Sequence, residues 1–201
     1  MHYTPNDASF EGEVHALLRW VMFYGRLPVE EDFLMVHEAG LTRDFSNGAL
    51  VGDPFLPKSW HSVGDVIKTL LFSFESAYAN PPSFPASYNQ IKELLFDCMM
   101  NYMEKTSSFK KIHGVLFEHL KHHPCHGKFF LAHQEKIWDH IRAIGDFSSL
   151  FLSFFERQKA KLIFHAVFPF ALCEWIKDES DGLDGVMVFV DRRLETLYQN
   201  F

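Results

Sequence analysis

The 201-residue sequence predicts an all-α protein, and three observations carry that prediction. Apolar residues recur every three or four positions through most of the chain. Capping residues open these periodic runs, and glycines or prolines close them. The single strand-like run, Val186 to Val190, has no second run to pair with its backbone. With 47% hydrophobic residues, the length suits one sizeable core, and the reading is a single helical domain over residues 1–201.

The elements follow in chain order. Ser9 caps a first helix to about Tyr24, with Val14, Leu17, Leu18, Val21 and Met22 at helical spacing. Pro28 at an N1 position and Gly40 at a C′ position bracket a short second helix. Residues 41 to 58 read as loop, because Asn47-Gly48, Gly52-Asp53-Pro54 and Pro57 break any long period. A third helix covers 60 to 79, and three prolines between 81 and 85 end it. Ser87-x-x-Gln90 is a capping-box pattern opening a helix to about Glu104. Ser107 or Ser108 starts the next, which stops before Pro124. Residues 127 to 144 form another, with Phe130, Ile137, Ile141 and Ile144 on one face.

The longest helix spans about 150 to 177 and holds "LIFHAVFPFALC", residues 162 to 173. Twelve residues at about 1.5 Å each cover roughly 18 Å, short of a bilayer core of about 30 Å, so this is a buried central helix kinked at Pro169. Val186, Val190, Leu194, Leu197 and Phe201 recur at helical spacing, so the strand-like run is placed in a final helix that Asp184 caps. The Asp191-Arg192-Arg193 triplet has two readings. Arg192 or Arg193 folds back onto Asp178 and Glu179 at the end of the long helix, held by Asp191, or the charges form a solvated cluster.

Composition narrows the function. Net charge is −7, and the first 65 residues hold four Lys/Arg against ten Asp/Glu, the wrong sign for a phosphate-binding surface. Three widely spaced cysteines point to a reducing compartment. The N-terminus has no basic region followed by an apolar run, which reads as no secretory or mitochondrial leader. The run "HLKHHPCH", residues 119 to 126, offers soft-metal donors, but the usual zinc spacings need a second cluster; the expectation is a charged helix end and no metal site. No paired Glu-x-x-His motif for two irons, nucleophile elbow or glycine-rich phosphate loop occurs, so no catalytic residue and no cofactor are expected. His165 is read as a core histidine with one hydrogen bond, or as a polar handle for a ligand head group.

"GDFS" at 145 to 148, an apolar helix ending in Trp175-x-x-Asp178, Ser180, and "FVDRR" at 189 to 193 together resemble the coenzyme Q (ubiquinone) biosynthesis accessory family, the lipid-binding Coq-nine proteins. "FLPKS" at 55 to 59 resembles that family's corner before its third helix. The resemblance covers residues 130 to 197 well and the remainder in outline. It implies a TetR-like helical bundle, with a degenerate helix-turn-helix part at 1–60 and a lipid-binding part with the long kinked helix at 61–201.

The resemblance also implies a non-enzymatic protein that binds an isoprenoid quinone precursor or other lipid and presents it to a di-iron quinone hydroxylase. It implies a homodimer, cytoplasmic and peripheral at the inner membrane. The lipid-binding residues are then Phe154, Phe164, His165, Phe168, Phe170, Leu172 and Trp175. Phe155 and Arg157 face the partner, on a tract, "LFLSFFERQKAK" at 150 to 161, that departs from the family pattern. Asp146, Ser148, Asp178, Asp191, Arg192 and Arg193 are structural. The alternative is a TetR-like transcriptional regulator with a hydrophobic ligand. Against it, residues 41 to 57, where a recognition helix belongs, hold one arginine and two aspartates.

Overall fold

The computed structural model describes residues 7–29, 32, 62–78, 91–144, 154–179 and 183–200. Among these residues the regular structure is helical, without a strand. The expected helix at 28–40, the loop after it, the Ser87 capping box, Asp146 and Ser148 lie largely or wholly outside the described residues.

Helix α1 is Asp7–Tyr24. Ala16, Leu17, Trp20 and Val21 form its buried face. Gly25 ends it at φ 67°, a left-handed conformation cheap only for glycine, and its N–H donates to the Val21 carbonyl at 2.9 Å. Helix α2 is Val63–Tyr78. Ser62 caps it reciprocally: the Asp65 N–H donates to Ser62 Oγ at 3.3 Å, and the hydroxyl donates to Asp65 Oδ2 at 3.0 Å. Helix α3 is Ile91–Lys105, where the Thr106 hydroxyl donates back to the Tyr102 carbonyl.

A 3₁₀ turn at Ser107–Phe109 leads into α4, Lys110–His122, and a second at Pro124–His126 leads into α5, Gly127–Ile144. Phe130, Ile137 and Ile141 are buried on α5 at the expected spacing. The long helix, α6, is described from Phe154 to Lys177 and runs through Pro169 without interruption. Pro169 has no N–H, so the His165 carbonyl loses its usual partner in the ladder. Helix α7 is Asp184–Asn200. Val186, Val190 and Leu194 are its buried residues, each stabilising the fold by about 1.5–3 kcal/mol. The β-branched run is therefore helical because its 3.6-residue apolar stripe outweighs its intrinsic preference.

The chain divides into two units, residues 1–73 with 115–129 and residues 74–114 with 130–201. In the first, Arg26 holds the buried Asp32 through two hydrogen bonds of 2.6 and 2.9 Å, and Asp32 also accepts the Val29 N–H. Gly64 lies against Phe129 so closely that a Cβ there would come within 3.3 Å of the ring. In the second, α6 packs on α7, and both pack on α3. The core there is the inner faces of these helices, from Leu94, Leu95, Cys98 and Met99 on α3 to Ala160, Ile163, Val167 and Ala171 on α6.

The charge cluster between α6 and α7 is built differently from the fold-back expectation. Arg192 and Arg193 are exposed, and Arg193 lies over the Phe189 ring of its own helix. Neither makes an ion pair with Asp178 among the described residues. Asp191 instead pairs with Lys92 of α3 at 3.1 Å, and the same lysine binds Glu195. Two turns of α7 carry the arginines past the junction, whereas Lys92 already faces that side of the helix. Asp178 lies beside Gly185, where an added Cβ would come within 3.3 Å of Oδ2. Its carboxylate therefore sits at the N-terminal end of α7, which favours negative charge.

Candidate functional site

Helix α6 presents two faces, and the expected lipid-binding residues divide between them. Phe164, Phe168, Leu172 and Trp175 are buried, each at 2% exposure or less. Phe154 and Phe170 point outward at 70% and 65% exposure, so they line no interior space. The reason is angular: at 100° per residue, positions 164, 168, 172 and 175 share one side of the helix, and 170 falls on the other. His165 lies between the faces, half-buried, with Nε2 3.4 Å from Glu135 Oε1. Burial lowers its pKa, the Glu135 charge raises it, Lys161 lowers it, and the net shift is downward. Phe155 and Arg157 are exposed at the start of the helix.

The inner face meets aromatic rings. Phe164 and Phe168 stack at 5.0 Å between centroids, Trp138 of α5 lies 5.9 Å from Phe164, and Tyr102 of α3 stands edge-on to Phe168 at 5.0 Å. Trp175 stands edge-on to His113 of α4 at 5.2 Å. The apolar stripe thus ends on two hydrogen-bonding side chains.

Those two belong to a buried polar chain that runs across four helices. The Tyr102 Oη lies 3.2 Å from His113 Nε2 and 3.0 Å from His133 Nε2. His113 Nδ1 donates to the Phe109 carbonyl at 3.0 Å, the one direction a carbonyl permits. His133 Nδ1 lies 3.2 Å from Glu75 Oε1, and Lys136 Nζ donates to Glu75 Oε2 at 2.9 Å. Phe74 stacks on the His113 ring at 3.8 Å and closes the site from α2. Tyr102, His113 and His133 are 0%, 1% and 2% exposed, so these polar groups satisfy one another rather than water.

Burial and neighbouring charge set the protonation states. Burial pushes the His113 imidazole down to about 3. It also lowers His133, against the opposing pull of the Glu75 carboxylate. Glu75 would be raised by burial, but the hydrogen bonds from His133 and Lys136 outweigh it and hold the carboxyl below its usual range. Burial, with the Glu75 charge, holds the Tyr102 phenol well above its ordinary value. The buried chain of donors and acceptors can accept, donate or pass a proton.

Glu75, Tyr102, His113 and His133 were not among the residues singled out from sequence for a site. A signal for three of them lay in the helical periods. Glu75 follows Leu71 and Phe74, His113 falls between Ile112 and Leu116, and His133 lies among Phe130, Ile137 and Ile141. A polar residue at an inward position must be satisfied by another such residue.

The histidine-rich run forms a separate feature in the first unit. His119 stacks on His123 at 4.4 Å and on His126 at 5.2 Å, and His119 Nε2 lies 2.9 Å from His126 Nδ1. Burial and the neighbouring histidines push His119 down to about 4. Parallel rings do not converge three lone pairs on one point, and among the described residues no group of three ligating side chains could hold a metal ion. Also among these residues, no helix is long and apolar enough to cross a membrane.

Comparison with protein-family models, with characterised proteins and with solved structures finds no match to the chain.

Proposed function

We propose that the protein is a non-enzymatic lipid-binding accessory protein of ubiquinone biosynthesis, with a TetR-like helical bundle, that takes an isoprenoid quinone precursor along α6. The observation that carries this reading is the junction of the two recognition chemistries. Phe164, Phe168 and Leu172 provide an apolar stripe, and Tyr102 and His113 provide hydrogen-bonding groups at Phe168 and Trp175. An isoprenoid tail is stabilised by about 0.8 kcal/mol per buried CH₂, and a phenolic or quinone oxygen needs a partner of the Tyr-His kind. The motif residues around Trp175, Asp178 and Arg193 support the same family reading.

The outward face of α6 supports a presenting role. Phe154, Phe155, Leu162 and Phe170 are exposed, a surface for the di-iron hydroxylase or for the second copy of a homodimer at the inner membrane. The transcription-regulator reading has the acidic N-terminal third against it.

Denaturing extraction of the purified protein followed by mass spectrometry tests the reading, together with thermal shift against a short-chain ubiquinone or its phenolic precursor. The expected result is a co-purifying isoprenoid and stabilisation of about 2.7 kcal/mol at a hundredfold excess over Kd. Phe168→Trp abolishes the shift at an overpacking cost of about 1–3 kcal/mol. An absence of lipid and of any shift in the parent, or a salt-sensitive mobility shift with duplex DNA, overturns it.

A further inference from the structure

Four hydrogen bonds run in series through the second unit, from the Phe109 carbonyl through His113, Tyr102 and His133 to Glu75. Each needs one proton between its heavy atoms. The Phe109 carbonyl can only accept, so His113 carries its hydrogen on Nδ1 and its Nε2 is bare. Ionised Glu75 can only accept, so His133 likewise carries hydrogen on Nδ1 and presents a bare Nε2. Tyr102 then has one hydroxyl proton for two bare nitrogens, at 3.2 and 3.0 Å. With both histidines neutral, three protons serve four bonds, and one buried lone pair faces another.

We propose that this chain is a proton-operated latch, in which uptake of one proton by His133 completes the fourth hydrogen bond and ties α2, α3, α4 and α5 together. The proton comes from solvent and binds His133 Nε2. His133 Nε2–H then donates to Tyr102 Oη, the Tyr102 hydroxyl donates to His113 Nε2, and His133 Nδ1–H still donates to Glu75. The imidazolium is balanced by the Glu75 carboxylate it touches. Entry is at that end, where Glu75 is 14% exposed and Lys136 is 60% exposed.

Every element around the site fits this assignment. Glu75 and Tyr78 come from α2, Cys98 and Tyr102 from α3, His113 and Lys110 from α4, and Lys136 and His140 from α5; among the described residues α6 presents the rings of Phe168 and Trp175. Glu75 is thus the carboxylate that compensates a charge on His133, opposed at longer range by Lys136. His113 is not the proton acceptor, because its Nδ1 is committed to Phe109 and burial holds it at about 3. His133 is depressed too, so the latch closes on the acidic side of ordinary imidazole. The inference does not depend on any lipid.

Long-range nitrogen–proton NMR of the full chain, with ¹⁵N-labelled histidine, from pH 8 to pH 5 tests it. The expected result is a neutral Nδ1–H tautomer for both histidines at pH 8, then single-step double protonation of His133 while His113 stays neutral. His113→Phe keeps the stack on Phe74 and removes one acceptor, so the remaining two bonds have two protons and the chain is complete. The His133 midpoint should fall by about one pH unit, the equivalent of one net hydrogen bond. Tyr102→Phe, which removes the acceptor for Nε2–H, should lower it similarly and serves if the first variant does not fold. A midpoint unchanged or raised in the folded variants overturns the latch. So does a doubly protonated His133 in the parent at pH 8, since the fourth proton would then be permanent.

Discussion

At the scale of single residues, the second unit is decided by how its few buried polar groups are paired. Tyr102→Phe should destabilise the chain by about 1–3 kcal/mol, read as a lower urea midpoint at constant slope, because two buried imidazoles lose their shared partner. Asn101 is the opposite case. It is 6% exposed on α3, and its Nδ2 and Oδ1 have no hydrogen-bond partner among the described residues. Asn101→Leu should therefore stabilise the chain by about 1 kcal/mol, read as a higher urea midpoint, since a desolvated amide is replaced by an apolar group. Neither effect was legible in the sequence. The helical period shows that positions 101, 102, 113 and 133 face inward, but which of them meet depends on packing between segments 11 and 31 residues apart. The outcome for Arg192 and Arg193 has the same cause. Sequence places charges near one another, and Lys92, remote in the chain, took the partner.

At the scale of the element, α6 is the clearest case of one helix with two uses. Phe168→Ala should cost about 3–5 kcal/mol, while Phe155→Ser and Leu162→Ser should change stability by under about 0.5 kcal/mol. If the outer face is a contact surface, the same serine variants reduce self-association or hydroxylase binding without lowering the melting temperature, a separation that calorimetry and sedimentation read together. Helix limits were largely legible. Residues 127 to 144 were expected and observed, and α1, α2 and α3 begin and end within a few residues of expectation wherever they are described. Periodicity and caps are local, so local sequence carries them. What it could not carry was the direction of each aromatic ring on α6, because phenylalanines at 154, 164, 168 and 170 look alike until the neighbouring helices choose a side.

For the molecule as a whole, the histidines dictate the response to acid. His113, His119, His133 and His165 all lie below the ordinary imidazole value of 6.5. Below that value the unfolded chain binds protons that the folded chain refuses, so folding stability is greatest above about pH 6.5 and falls as pH decreases toward the depressed values. The melting temperature should drop steadily between pH 7 and pH 5, and a melting temperature that rises over that range sinks the assignment. Glu75 and Asp32, held low by their basic partners, add a further loss below the carboxylate range. Proton uptake at His133 softens the slope without reversing it.

The setting of Cys98 has a consequence for reactivity over time. The residue is 1% exposed with its thiol at a Tyr78 contact, and burial pushes the thiol up to about 12, whereas Cys125 is exposed in the other unit. An alkylating reagent therefore meets a prompt thiol and a sequestered one in the same molecule. Cys125 should label in the first moments, and Cys98 only as fast as the helices around it part. Cys173 is half-buried in the second unit, so the lag is read site by site: the delay of Cys98 behind Cys125 is a clock for breathing of that unit, carried in the native chain without any dye.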